Sequence, residues 1–370
     1  MLKALLILIF IRPFISSPAF AYLNFIYSAS LLFFMAAYVI HKKSLLNKSA
    51  PFKYPVLLFA LAMVISLIYS QDRQNSSLEI YKYISAILLL YIGASLGPQE
   101  KTRLIKTIVW ASLVISLLAI YQYFFGFRHT QAYMAKHNIS SSFALDYIQR
   151  RRIFFPFVTP NILAGYLAMI LPLSFIYERK DLFIIPLLLA LLLTKSLGAI
   201  LSILLVLVVY LLLRRKLRKR QILYLAGLVL TIILIFFSRA ATKTQHTSPS
   251  FSALMRMGYW KDTIEIIKAF PLTGVGIGNF NLQQSRYTHN SYLQIWAEMG
   301  ILGAAAFLWL IIASFKIGAK KIKEAKNNSL NYSLLLLASA IFCVHNIFDF
   351  SFFLPEVALI WWVILGMVFS

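Results

Sequence analysis

Tyr287-Thr288-His289-Asn290-Ser291-Tyr292-Leu293 is the junction at which a polar stretch runs into an apolar helix, and its reading decides the fold. The stretch, residues 238–291, is about 54 residues long and interrupts a chain that otherwise reads as membrane. It carries Arg256, the turn-forming Pro271, Gly274, Gly276 and Gly278, then Arg286 and the pair His289-Asn290. Polar groups are costly to hold where a large loop meets a bilayer face, so they mark the place to look for chemistry.

Outward from the junction, the chain has 370 residues, of which 60% are hydrophobic and only 13% charged. A soluble domain would need about twice that charge, so the chain is a polytopic membrane protein. Cys343 is the only cysteine, which excludes an intrachain disulfide. The net charge of +24 invites nucleic acid as a partner, but the basic residues are scattered among apolar segments and build no single face. Nucleic acid is therefore excluded, and loop charge under the positive-inside rule accounts for the excess.

Allowing short runs inside a bundle, about twelve apolar segments emerge: residues 2–14, 19–40, 54–69, 80–96, 104–125, 157–177, 182–194, 197–213, 222–237, 292–315, 330–348 and 353–369. Alternate loops hold Lys42, Lys43, Lys48 and Lys53; Lys101 and Arg103; Arg179 and Lys180; Arg214, Arg215, Lys216, Arg218, Lys219 and Arg220; and Lys316, Lys320, Lys321, Lys323 and Lys326. That set, with both termini, is assigned to the cytoplasm. The two long loops, residues 126–156 and 238–291, then share the extracytoplasmic face of a single transmembrane domain covering residues 1–370. Lys3, the short first run and Ala19-Phe20-Ala21 imitate a signal peptide, but an uncleaved first helix is expected because a second apolar run follows at once.

In the larger loop Ser250 or Ser252 is expected to cap a helix that reaches about Phe270 and is stopped by Pro271. Leu254, Met257, Trp260, Ile264 and Ile267 make one apolar stripe on it, the pattern of an interfacial helix lying on the lipid bilayer. Gly274, Gly276 and Gly278 lack the preceding strand of a dinucleotide loop, and Asn279 stands where its third spaced glycine belongs. They are expected instead to let the backbone turn tightly or approach another surface.

His289, Tyr292 and Trp296 are expected to share one helix face. Neutral imidazole accepts protons near neutrality and guanidinium suits a diphosphate. His289 with the outer-face Arg150, Arg151, Arg152, Arg256 and Arg286 thus points to the handling of an anion. Outward carboxylates (Asp72, Glu79, Asp146, Asp262, Glu265, Asp349, Glu356) form no metal-like cluster, so no metal or other cofactor is expected; the close histidine pair is His345 with Asp349. Glu298, about 13 Å deeper than His289, is an intramembrane candidate. Lys195, at the tight turn Thr194-Lys195-Ser196, is expected to reach the outer face and add to the anion site.

His289-Asn290, nine residues, Gly300, two residues and Gly303, read as HNSYLQIWAEMGILG, resembles the signature of the O-antigen ligase and O-antigen polymerase superfamily. Arg256 through Trp260, Pro271 and GVGIGNF resemble that family's large periplasmic loop. Pro160-Asn161 with Ala164, after the Arg150 to Arg152 cluster, and His345-Asn346 to Asp349 followed by Pro355 agree as well, so the resemblance covers the chain from about Arg150 to its end. It implies a metal-independent, inverting glycosyltransferase that acts outside the cytoplasmic membrane on glycans carried by undecaprenyl diphosphate. In it His289 is the general base for the acceptor hydroxyl, and Arg152 and Arg256 hold the diphosphate, with Arg286 and Lys195 adding charge. Asn290, Trp260, Gly274, Gly276, Gly278 and Glu298 support the motif. Where relatives often carry Ser-Arg, this chain has Thr194-Lys195-Ser196, a point charge in place of a bidentate fork.

The expected architecture is all-α: a polytopic integral membrane protein of about twelve transmembrane helices with a large extracytoplasmic loop containing an interfacial helix, set in a bacterial inner membrane. The expected activity is glycan transfer from undecaprenyl diphosphate to an acceptor such as lipid A-core, a step of lipopolysaccharide and cell-envelope polysaccharide biosynthesis. A polymerase of the same superfamily, whose acceptor is another lipid-linked repeat, is the nearest alternative. A lipid-linked oligosaccharide flippase would also suit twelve spans, but the chain has no evident internal repeat and its polar groups gather in two outer loops. A scaffold would have no use for His289, Arg256 and Arg286 on one face.

Overall fold

The computed structural model describes residues 1–41, 51–138, 142–214, 219–240, 248–283, 285–324 and 329–370. Lys42, Lys43, Lys48, Arg215, Lys216, Arg218 and Lys326, assigned from the sequence to cytoplasmic loops, lie outside the described residues, as do residues 241–247 of the larger loop. Among the described residues the secondary structure is helical, with no strand. The first group is α1 (Leu2–Ile11), α2 (Ala21–His41), α3 (Lys53–Ile68), α4 (Arg73–Ser95) and α5 (Pro98–Tyr121). Two short helices, α6 (Phe127–Lys136) and α7 (Ser142–Gln149), occupy the loop at 126–156. Then come α8 (Pro160–Ile170), α9 (Asp181–Leu193), α10 (Leu197–Arg214) and α11 (Lys219–Ala240). In the larger loop lies α12 (Pro249–Ala269), and α13 (Ser291–Glu324), α14 (Ser329–His345) and α15 (Pro355–Phe369) complete the chain.

Each of the twelve apolar segments contains a helix. Among the described residues five helical stretches are long and apolar enough to cross a membrane: Ala21–His41, Arg73–Ser95, Pro98–Lys136, Gln221–Ala240 and Ser291–Glu324. Six further apolar helices are shorter. Proline shapes two of these, since Pro172 sits where α8 tightens into the 3-10 turn Leu171–Ile176 and Pro186 lies inside α9.

The core is built around α15, which is buried along its whole length. Its closest approach is to α4, where Gly93 and Gly366 face each other. A Cβ at Gly366 would stand 2.3 Å from the Leu90 carbonyl oxygen, and one at Gly93 2.6 Å from that of Val363. Only glycine lets the two backbones touch there. At the start of α15 the carboxylate of Glu356 meets the buried Arg12, 3.4 Å away, which ties the first segment to the last helix.

The larger loop is anchored by a break in α13. Gly300 has φ 65° and ψ −173°, so the helical hydrogen-bond ladder stops there and frees carbonyls in the preceding turn. The loop supplies their partners: Val275 N–H donates to Ala297 O at 2.9 Å, Gly276 N–H to Glu298 O at 3.1 Å, and Ile301 N–H returns to Pro271 O at 3.0 Å. Gly274, Gly276 and Gly278 all have positive φ, and a Cβ at Gly274 would stand 2.4 Å from the Glu298 backbone. The glycines thus allow tight turning and close approach together.

The interfacial helix of the sequence reading is α12, running from Pro249 to Ala269, but its cap is Ser248 and neither Ser250 nor Ser252. The Ser248 hydroxyl accepts the Phe251 N–H at 3.2 Å, and Pro249 at the first helical position leaves no amide wanting a partner. Leu254, Met257 and Ile264 of the expected stripe are exposed and Ile267 is buried. The N-terminal half of α12 faces a cavity through Phe251, Ser252, Met255, Arg256 and Tyr259.

Candidate active site

The motif around His289 has a local physical explanation. Asn290 caps α13, its side-chain oxygen accepting the N–H groups of Tyr292 and Leu293, each at 3.1 Å. Ser291 ties the same end to the segment after α14. Its N–H donates to the carbonyls of Asn346 (3.0 Å) and Asp349 (3.1 Å), and its hydroxyl to Asn346 Oδ1 (2.8 Å). The Thr288 N–H donates to Gln294 Oε1 at 3.3 Å, and Gln294 in turn donates to Glu298 at 2.9 Å. Between these fixed points His289 has φ 55°, a left-handed backbone rare for a residue with a side chain. That turn takes the imidazole off the helix register, so the expected shared face with Tyr292 and Trp296 does not form. Tyr292 instead donates to the Cys343 carbonyl at 2.8 Å, and Trp296 packs with Ile266 and Leu293 against the small cluster of Ile267, Phe280 and Ala297.

The imidazole projects into a cavity of about 510 Å³. Its ring lies parallel to Tyr259 at 5.8 Å and meets Phe350 edge-on at 4.8 Å, while Nδ1 is enclosed and has no hydrogen-bond partner. Three guanidinium-bearing residues, Arg152, Arg239 and Arg256, line the same space. Each comes from a different part of the chain: Arg152 follows α7, Arg239 ends α11, and Arg256 is on α12. The N-terminal turns of α8 and α10 also open onto it through Thr159, Asn161, Ser196, Leu197 and Gly198, and helix N-termini favour negative charge. Arg152 is joined to this end, with Nε donating to Thr194 O at 2.9 Å and an Nη to Asn161 Oδ1 at 3.1 Å. The Ser196 hydroxyl donates to that same Asn161 oxygen, also at 3.1 Å. His345, which also lines the cavity, pairs with Asp349, Nε2 to Oδ2 at 3.2 Å.

Charge is held under tension here. Burial brings the Arg152 guanidinium down to about 10, with Arg150 and Arg256 pushing the same way and Tyr147 offsetting part of the fall. Burial likewise lowers Arg256, which Asp349 opposes. Burial and then Arg256 depress the His289 imidazole to about 4, again against Asp349, so the ring is neutral at neutral pH. For Asp349 burial alone would act upward, but His345, the Ser351 hydroxyl and the field of His289 hold the carboxyl below its usual range. Buried cations that repel one another make a site that gains by taking up an anion.

Of the residues expected from the sequence, His289, Arg152 and Arg256 meet in this cavity. Within the run at 150–152, Arg150 is buried against Asp146 at 3.1 Å, and Arg151, with φ 50°, turns outward over the Tyr123 ring, leaving Arg152 to enter the site. Lys195 stands beside the cluster, but its amine donates to the Arg150 carbonyl at 2.9 Å and does not reach the cavity lining. Arg286 is directed elsewhere, exposed and 3.6 Å from Glu79, at the mouth of a separate small pocket that also holds Glu298. Glu298 receives the Gly278 N–H at 3.0 Å, which makes it a support of the glycine turn. Trp260 lies outside the cavity with its indole N–H enclosed, and Tyr259 is the aromatic that reaches His289.

Arg239 was not singled out from the sequence. The available signal was an arginine in the last turn of an apolar helix on the side where the positive-inside rule disfavours one. Its guanidinium donates to the Ser252 hydroxyl at 3.3 Å and its carbonyl receives Arg150 at 2.8 Å, so it couples α11, α12 and the first loop. No curated protein matches the chain. Residues 182–308, from the first turn of α9 into α13, match the family model described as O-antigen ligase, a match that spans Lys195, Arg239, Arg256 and His289.

Proposed function

We propose that the protein is an O-antigen ligase: a metal-independent, inverting glycosyltransferase that moves a glycan from undecaprenyl diphosphate to an acceptor such as lipid A-core. It works on the periplasmic face of a bacterial inner membrane, through a domain of about twelve spans. The observation that carries this reading is one cavity holding a neutral imidazole, its Nδ1 without a hydrogen-bond partner, beside three guanidinium groups. The two long loops both contribute to it, Arg152 from one and Arg256 with His289 from the other, which supports their lying on the same side of the membrane.

In this mechanism Arg152, Arg239 and Arg256 bind the donor's diphosphate, helped by the N-terminal turns of α8 and α10. The acceptor oxygen attacks the anomeric carbon as His289 takes its proton. The bond to the phosphate oxygen breaks with its electron pair staying on that oxygen, and the anomeric configuration inverts. A diphosphate diester becomes a monoester, so negative charge grows where the guanidinium groups already point, and they stabilise the transition state more than the ground state. Base assistance of this kind contributes about 10²- to 10⁴-fold. Tyr259, Tyr287 and Phe350 offer flat faces to the sugars.

The test is transfer by purified protein in nanodiscs, supplied with undecaprenyl-diphosphate glycan, with or without lipid A-core, and with EDTA throughout. Product that requires lipid A-core is the expected result. Lengthened lipid-linked chains without it would make the protein a polymerase, and donor crossing the bilayer without any product would make it a transporter.

A further inference from the structure

His345 lines the same cavity as His289, and the reaction described above leaves it without a part. It is built differently from His289. The side chain is 2% exposed and its Nε2 lies 3.2 Å from Asp349 Oδ2. One glycine makes its slot: a Cβ at Gly165 of α8 would stand 2.4 Å from the ring's Cδ2, while one at Gly198 of α10 would meet Nδ1 at an ordinary contact distance of 3.9 Å. The ring is therefore fixed edge-on against α8 with Nδ1 turned toward the first turn of α10, and that nitrogen is enclosed without a partner. This is the anion end of the cavity, where Ser196 and Arg152 share Asn161. His289 is boxed by Tyr259 and Phe350.

Resting on the glycosyl-transfer reading, we propose that His345 is a second catalytic residue, on the leaving-group side: with Nε2–H held by Asp349, its Nδ1–H donates to a phosphate oxygen of the donor. In that arrangement each ring nitrogen faces an anion through its hydrogen, Nε2 towards Asp349 and Nδ1 towards the phosphate. No extra proton is consumed. The acceptor's proton goes to His289, the electron pair of the broken bond goes to the phosphate oxygen, and His345 shares its proton with that phosphate in a hydrogen bond that strengthens as charge accumulates. The two histidines divide the work, one at the incoming oxygen and one at the departing one. Asp349 is then a positioning residue, and Gly165 admits the ring to its slot.

The experiment measures binding of farnesyl diphosphate to the full chain in nanodiscs, for the wild type and for His345→Gln. A charge-assisted hydrogen bond predicts that the variant binds about tenfold or more weakly while its ligand-free melting temperature stays within a few degrees of wild type. Equal affinities would overturn the proposal. A wild type that binds no diphosphate would instead overturn the glycosyl-transfer reading, and the proposal with it. Should the variant not fold, histidine ¹⁵N spectra of the labelled wild type decide. Farnesyl diphosphate is expected to move the Nδ1 signal of one histidine, the same signal that Asp349→Asn perturbs. Signals left unmoved would contradict the assignment.

Discussion

His289 combines a strained backbone, an orphaned ring nitrogen and a proton affinity lowered by burial and by Arg256. With the free-enzyme value at about 4, kcat/KM is expected to stay level as pH falls through 6.5, the range where an ordinary histidine base would fail. Arg256→Gln removes a cation from the ring's surroundings, so its acid limb moves up toward 6.5, which a pH–rate profile of that variant would detect. The same depression has a consequence for stability. The unfolded chain takes up the histidine proton first, so this contribution is intact above about 6.5 and is lost as pH falls from there to about 4. At this scale the sequence reading grouped His289, Arg152 and Arg256, and the three line one cavity. It misled over the face shared by His289 and Tyr292, because helical spacing applies only inside the helix and the left-handed turn at His289 lies just before it. Arg286 was misplaced for a related reason: proximity in sequence to His289 says nothing about which side of the segment a side chain leaves from.

The element that positions the site is the broken helix α13. Its interruption at Gly300 is what makes the glycine turn at 274–278 necessary, since that turn feeds N–H groups to the carbonyls the break exposes. The sequence reading arrived at close backbone approach as the purpose of these glycines but not at their partner, which lies 20 to 25 residues further on. A Cβ at position 300 would stand 1.9 Å from the Leu272 carbonyl oxygen on a backbone with φ 65°. Gly300→Ala is therefore expected to lower stability by about 2 kcal/mol or more, read as a fall in melting temperature in detergent. Gly165→Ala probes a different coupling. The added methyl pushes on the His345 ring 2.4 Å away, and the expected outcome is loss of transfer exceeding the loss of stability.

At the scale of the whole molecule, the helical segments were legible because apolar length is a strong signal, and their arrangement was not. That α15 would be the fully buried centre, meeting α4 backbone to backbone at Gly366 and Gly93, depends on pairings no single segment encodes. The pairing of Arg12 with Glu356 across the chain is of the same kind. Both side chains are almost wholly enclosed, so Arg12→Met leaves a buried carboxylate without its cation and is expected to cost about 3 to 5 kcal/mol, whereas the double replacement Arg12→Met with Glu356→Gln should recover much of it. Thermal unfolding of the two variants in one detergent separates these outcomes.

The central claim is that the cavity shared by His289 and the three guanidinium groups is where a glycan changes carriers. It is tested most directly by measuring, on the same nanodisc preparations, donor affinity and single-turnover glycan transfer for the wild type and His289→Gln. The account predicts that transfer falls by about 10²- to 10⁴-fold while donor affinity and folded yield stay near wild type. Transfer at the wild-type rate would contradict it.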